Sequence, residues 1–289
     1  MLNVLNNTVR LKKLISSSTF TLGFLSFILS NSVEAASCFG WPSGRPIALS
    51  ITYDDGYPDN LTAAIPDLET YGFRGSFYLA TNYVSQYRAS DIPQWKQAAL
   101  KGHEIGSHTS THECSSLNGG VNPNLATQAA VTAAVTNANT WLNANINEDR
   151  GRTFAYPCGE TWVGQNNSTG EAAYINVLRQ QHIAARWLDP SAPNYRASVK
   201  AQPYKLRAYA YDPTTGQTIQ DIKNYLDQPT VGTDGWKILI FHNVGTPNSV
   251  FPITRADHQE ILRYIYSSNK YWVAPVRDVI HYMYRYDCQ

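Results

Sequence analysis

The sequence predicts an α/β fold on a parallel sheet, and three observations lead there. Short β-branched and aromatic runs alternate with longer helical patterns along the chain. One run, Lys237-Ile238-Leu239-Ile240-Phe241, is continuously apolar after its first residue, as a strand covered on both faces must be. The residues beyond an amino-terminal leader, about 250 of them, suffice for one large core, a single α/β barrel or sandwich. In parallel sheets ligands gather at the carboxyl ends of the strands, so the residues just past each strand are the first candidates for chemistry.

Residues 1–35 carry Arg10, Lys12 and Lys13, an apolar stretch from Leu14 to Leu29, and then Val33-Glu34-Ala35. That order is a secretory signal with cleavage after Ala35, leaving 36–289 as one domain. An uncleaved anchor is the alternative, but the run is broken by serines and short for a ~20-residue span. A lipoprotein reading through Cys38 fits worse, because Ala35-Ala36-Ser37 lacks a large apolar residue before the cysteine.

Next, Ile51-Thr52-Tyr53 reads as a strand that empties into Asp54-Asp55-Gly56. A helix over 59–71 and a strand over 74–80 come after it. The pattern from 94 to 101 is helical and leads into His103-Glu104-Ile105-Gly106-Ser107-His108. Residues 124–145 form the longest helical pattern, and 153–156 a short strand. A helix near 170–181, a strand at 183–186, a helix near 217–227 and the apolar strand at 237–241 come next. Helices over 254–268 and 275–286 flank Tyr271-Trp272-Val273.

Composition narrows the partners. There are 23 Lys+Arg against 22 Asp+Glu, a formal charge of +1, so no strong field draws nucleic acid or an anionic membrane. With 16% charged residues but 7 Trp and 19 Tyr, the chain suits neutral, hydroxyl-rich ligands such as sugars. Four cysteines in an exported chain read as two disulfides, for which the sequence alone allows three pairings. Cys38 and Cys288 stand at the two ends, and Cys114 and Cys158 near the histidine and Pro-Cys-Gly motifs, so Cys38–Cys288 and Cys114–Cys158 are the expected pairs. A metal role for the cysteines has no CxxC spacing behind it.

Four strand ends carry candidate chemistry. Neighbouring strand residues point to opposite faces, so Asp54 and Asp55 share one place only if the strand has ended there; a solvated Asp-Asp-Gly turn is the plain alternative. His108 and His112, four apart, fall on one face of a helical turn, close enough to grip one metal. Two histidines leave a tetrahedral ion short of a protein ligand, and the aspartate pair offers one carboxylate for the metal and another for proton transfer. At Tyr156-Pro157-Cys158-Gly159 a strand runs into free backbone N–H groups that can donate to an oxyanion. His242 ends the 237–241 strand, where a general acid could stand.

Taken together, these motifs resemble the polysaccharide deacetylase, or NodB-homology, family of metal-dependent carbohydrate esterases. Its Thr-Phe-Asp-Asp-Gly is matched by Thr52-Tyr53-Asp54-Asp55-Gly56, its His-(Ser/Thr)-x-x-His by His108 to His112, and its late strand ending in histidine by Leu239-Ile240-Phe241-His242. The resemblance implies a distorted (β/α) barrel with fewer than eight parallel strands. It also implies Asp55, His108 and His112 as ligands of a divalent metal, zinc above others, with Asp54 as general base, the N–H of Cys158 at the oxyanion and His242 as general acid. The implied substrate is an acetylated polysaccharide, N-acetylhexosamine units of a chitin-like or peptidoglycan glycan, met outside the cell or in the periplasm by a monomer. An acetyl-xylan esterase and an inactive glycan-binding relative are the alternatives. Leu239, Ile240 or Phe241 could line the acetyl pocket, and Trp162 and Trp187 could stack on sugar rings, each with core packing as its alternative. One departure stands out. Many family members carry an arginine two residues before the proline of the third motif, orienting the catalytic aspartate, and here that position is Ala155. Arg186, ending the next strand, is the candidate replacement, with a surface role as its alternative.

Overall fold

The computed structural model describes residues 40–114, 127–146 and 148–286; the signal-like segment, Cys38 and Cys288 lie outside them. All seven residues of β1 (Ile47–Tyr53) are buried, because the strand has neighbours on both sides. β7 (Gly235–Phe241) pairs with it in parallel over its whole length. The other side is shared: β10 (Tyr271–Val273) takes Ile47 to Leu49, and β2 (Ser76–Leu79) takes Thr52 and Tyr53. From β2 the sheet continues through β3 (Glu104–Ser107) and β4 (Thr153–Ala155) to β5 (Ala184–Arg186), all parallel. Beyond β7 lies β6 (Tyr209–Ala210).

The two edges of this sheet are joined. The Leu206 N–H donates to the Ala185 carbonyl, and the N–H groups of Trp187 and Asp189 donate to Leu206 and Ala208. Segment 203–210 therefore bonds β5 on one side and β7 on the other. The result is a distorted parallel barrel of seven strands, with β10 branching from β1.

Alternation along β1 and β7 sorts side chains between the barrel's interior and its helical jacket. Leu49, Ile51, Tyr53, Leu239 and Phe241 join the apolar cluster that contains Ile65, Ile222 and Ile261 from the helices. Ala48, Ile238 and Ile240 join Ala184 and Leu206 within the ring. Asp54 and His242 continue these inner series one step past the strand ends, so the register that buries the core also aims them at the axis. At the opposite end the interior is closed by the buried carboxylate of Glu104, which accepts from Ser76 Oγ (2.7 Å), Thr153 N–H (2.9 Å) and Oγ (2.6 Å), and Arg277 N–H (3.0 Å). Chemistry is left to the carboxyl end.

Helices cover the outside. A π-helical turn at Asn60–Ala64 runs into α1 (Ile65–Thr70), followed by α2 (Thr81–Tyr87), α3 (Ile92–Leu100), α4 (Gln128–Asn145), α5 (Ser168–Leu178) and α6 (Arg196–Ala201). α7 (Ile219–Asp227), α8 (Arg255–Ser268) and α9 (Val276–Arg285) complete the set. The sequence pattern does not show α2, α6, β6, or the small pair β8 (Asn243–Val244) and β9 (Pro252–Ile253). α3 begins earlier than its pattern because Pro93 suits the first helical turn, where no N–H is needed.

Candidate metal centre and catalytic cleft

Asp54 stops the β1 ladder with its N–H on the Phe241 carbonyl (3.0 Å), and Asp55 then turns left-handed at φ 72°. That break puts both carboxylates at one end of the strand. His108 comes directly after β3 and donates its N–H to Leu79 (3.1 Å). The helical turn expected between His108 and His112 is not there. Thr109 (φ 63°) and His112 (φ 56°) are both left-handed, and the Thr109 Oγ1 accepts the His112 N–H at 2.9 Å. The loop folds back on itself, and the two imidazole centroids come to 4.7 Å apart.

Asp55, His108 and His112 converge. The Asp55 Oδ1 lies 3.5 Å from His108 Nε2 and 3.3 Å from His112 Nε2, and it is buried with no hydrogen-bond partner among the described residues. The His108 Nδ1–H faces the Ala155 carbonyl at 2.8 Å, which leaves the Nε2 lone pair directed at the aspartate. Burial pushes the His108 pKa down to about 4, so the ring is the neutral ligand form. An orphaned carboxylate oxygen and two free imidazole nitrogens within 4.8 Å of one another fit a divalent cation.

Beside them, Asp54 is 4% exposed, and its Oδ1 accepts a hydrogen bond from Arg186 Nη2. Burial alone would raise its pKa; Arg186, His108 and His242 together outweigh that and hold the carboxyl below its usual range. Arg186 is 1% exposed, and its guanidinium stands 4.8 Å from the Tyr78 ring centroid. That ring has room because Gly106 lacks a side chain: a Cβ there would lie 2.5 Å from Tyr78. The surface alternative for Arg186 is excluded by its burial. Ala155 and Arg186 are Cα partners across β4 and β5, so the guanidinium reaches Asp54 from the strand next to the one that carries Ala155.

The other candidates divide. In the turn Pro157–Gly159, the N–H groups of Gly159 and Glu160 are spent on Tyr156 and Pro157, while the Cys158 N–H has no acceptor among the described residues. Cys158 is itself left-handed (φ 53°), and its sulfur is bonded to Cys114, tying this turn to the His112 loop. His242 lines the same cleft, with its Nδ1 buried and unpartnered among the described residues. Ile240 lines the cleft, whereas Leu239 and Phe241 face the helices. Trp162 and Trp187 do not line it. Trp187 packs on the Phe154 and Tyr156 cluster beneath Lys205 instead, 4.8 Å from ring centroid to Nζ.

The cleft encloses about 540 Å³. Its aromatic lining is Tyr57, Tyr83, Tyr156, Tyr211 and Phe251, which the motif pattern does not single out. Only Tyr57 and Tyr156 carry a signal, as neighbours of motif residues. Left-handed backbone at Asp55, Thr109, His112, Cys158 and Phe251 clusters around this one cavity, a concentration of strained conformations of the kind found at functional sites.

A family model for polysaccharide deacetylase matches residues 43–177. A gellan lyase from Bacillus sp. is 27% identical over 157 residues, 50% of this chain but 6% of that protein. YxkH of Bacillus subtilis, named as a polysaccharide deacetylase, is 36% identical over 62 residues, 22% of each chain. The chain thus spans a small part of the curated relatives it matches. Among solved structures, the catalytic domain of a peptidoglycan N-acetylglucosamine deacetylase from Eubacterium rectale superposes with a TM-score of 0.51 at 15% identity, covering 84% of this chain and 94% of that one. A CE4 family pseudoenzyme from Bacillus anthracis gives 0.51 at 12% identity, over 84% and 67%. At such identities the likeness is one of fold.

Proposed function

We propose that this chain, which belongs to the polysaccharide deacetylase family, is a metal-dependent hydrolase that removes acetyl groups from N-acetylhexosamine units of a chitin-like or peptidoglycan glycan. The observation that carries the reading is the convergence of Asp55 Oδ1, His108 Nε2 and His112 Nε2 beside a second carboxylate that Arg186 keeps ionised. A divalent metal held by Asp55, His108 and His112, zinc in this reading, supplies Lewis acidity and makes water acidic enough to react near neutral pH.

The chain's own groups do the rest. Asp54 takes the proton of the attacking water, and its orientation is fixed by the guanidinium. The Cys158 N–H donates to the oxygen of the acetyl carbonyl as charge collects there. His242 gives a proton to the departing nitrogen, a step an amide needs because an amine does not leave as an anion. Ile240 and the rings of Tyr156 and Tyr211 offer the apolar wall for the acetyl methyl. The signal-like residues 1–35 support action outside the cell or in the periplasm.

Acetate release from chitooligosaccharides, peptidoglycan and acetyl-xylan, measured in parallel with bound metal by elemental analysis, tests this. His108→Ala should lose both metal and activity. Asp54→Asn should keep the metal and lose about two or more orders of magnitude in turnover. Full activity after exhaustive chelation would end the metal reading, release from acetyl-xylan alone would make the enzyme an esterase, and release from none would make it an inactive relative.

A further inference from the structure

A row of tyrosines leaves the cleft along α2. Tyr57 and Tyr83 line the cavity, with ring centroids 5.9 Å apart. Tyr83 and Tyr87, four apart on the helix and so on one face of it, come next at 6.0 Å, and Tyr87 ends the row 73% exposed. Unlike the exposed Tyr266 and Tyr284, this ring is joined through Tyr83 to the cavity, so it is placed to meet a ligand that extends out of the cleft.

This helix is moored to the candidate centre at both loops. Its Thr81 and Asn82 N–H groups donate to the carbonyls of Thr109 and Ser110, at 3.2 and 2.8 Å, inside the turn between the two histidines. Its buried Val84 lies against Gly56, where an added Cβ would come within 3.1 Å of Val84 Cγ2. The rings therefore keep a fixed place relative to Asp55 and His112. Chemically the helix is neutral: Thr81–Tyr87 contains no charged residue, and the adjoining Arg88 is engaged by Asp91 at 2.9 Å. Such a surface gives a polyanion nothing to pair with. It matches pyranose rings, whose C–H faces stack on aromatic rings while their hydroxyls meet phenol and amide groups.

We propose that Tyr83 and Tyr87 form a glycan subsite, so that the polysaccharide runs from the reacting sugar outward over α2 with at least one further sugar seated on these rings. This rests on the reading of the cleft as a glycan deacetylase and extends it: the preferred substrate is a chain, and a single acetylated sugar forgoes this contact.

The test is equilibrium binding of the N-acetylglucosamine dimer and pentamer by calorimetry, on full-length protein carrying Asp54→Asn in every sample so that the glycan is not consumed, with hydrolysis of 4-nitrophenyl acetate by the same proteins with Asp54 intact as an independent measure of the reaction centre. With both tyrosines present, the protein should bind the pentamer more tightly than the dimer. Tyr83→Ala and Tyr87→Ala should each weaken the pentamer by about three- to tenfold, as the loss of one aromatic contact does. Tyr87→Phe should keep most of the affinity, and Tyr87→Ala should hydrolyse 4-nitrophenyl acetate at the wild-type rate. The proposal is overturned if Tyr87→Ala binds the pentamer as the protein with both tyrosines does, or if the latter binds it no better than the dimer or not at all. Length-dependent, tyrosine-dependent binding without acetate release from any glycan would uphold the subsite and sink the deacetylase reading, so the two fail separately.

Discussion

At the scale of the residue, the most informative position is an exchange across one ladder. Ala155 offers Asp54 no counter-charge, and its register partner Arg186 brings a guanidinium to that carboxylate from the adjacent strand. Arg186→Ala should remove the main counter-charge that offsets the burial of Asp54, so the acid limb of the kcat/KM profile should move to higher pH with metal content unchanged. The sign is that of a carboxyl whose folded pKa is depressed: it is ionised above its ordinary pKa and is lost as pH falls through the lowered one. Arg186→Lys should recover only part of the activity, because an ammonium does not hold a carboxylate in plane. Adding Ala155→Arg to Arg186→Ala should move the limb back, and a profile unmoved in all three variants would show that Arg186 merely packs. The motif residues themselves were legible, since their order along the chain carries the family pattern. The backbone that gathers them was not. Asp55, Thr109, His112 and Cys158 are left-handed, which aspartate and histidine signal far more weakly than glycine, and which threonine and cysteine do not signal.

At the scale of the element, a buried polar chain docks α8 and α1 onto β1. The Tyr53 hydroxyl meets His258 Nε2 at 2.7 Å, and His258 Nδ1 faces Asp67 Oδ2 at 3.2 Å. The Asp67 Oδ1 also accepts from Arg255 Nη2 and Gln259 Nε2, both at 2.9 Å. Tyr53→Phe would keep the ring on Phe77, stacked at 4.8 Å, but leave His258 Nε2 without its partner. The expected cost is about 1–2 kcal/mol, read as a lower urea midpoint with wild-type metal content; an unchanged midpoint would mean that the chain adds nothing. Burial would raise the Asp67 pKa, but its partners His258, Arg255 and Gln259 bring it from 3.8 to about 2. Its contribution is therefore present above 3.8 and drains away as pH falls toward 2, and Asp67→Asn should flatten that stretch of the stability profile. Helices with a full apolar stripe were readable to within a residue or so: α8 and α9 lie inside the patterns at 254–268 and 275–286. α2 was not, because only Thr81 and Val84 of its seven residues are buried and two positions define no period.

At the scale of the whole molecule, the alternation of strands and helices foretold a parallel barrel but not how it closes. Segment 203–210 lacks a strand pattern, yet its carbonyls and N–H groups are consumed on both sides by β5 and β7, an outcome of position rather than propensity. The two ends of the described chain also meet. The Tyr282 hydroxyl donates to the Gly40 carbonyl at 3.0 Å, and Trp41 stacks on Trp272 at 5.6 Å. Cys38 and Cys288 lie two residues beyond Gly40 and Tyr286 in the sequence. Peptide mapping of unreduced protein should recover Cys38–Cys288 together with Cys114–Cys158, and loss of each bridge should cost roughly 2–5 kcal/mol; a Cys38–Cys158 peptide would refute both pairings. Because those ends adjoin, the linear order of the motifs is a matter of where translation happens to start. A circular permutant that joins residue 286 to residue 40 through a short linker, and opens at the exposed turn Val231-Gly232, would begin with β7. It would deliver His242 from the ribosome before Asp54 and still assemble the same cleft.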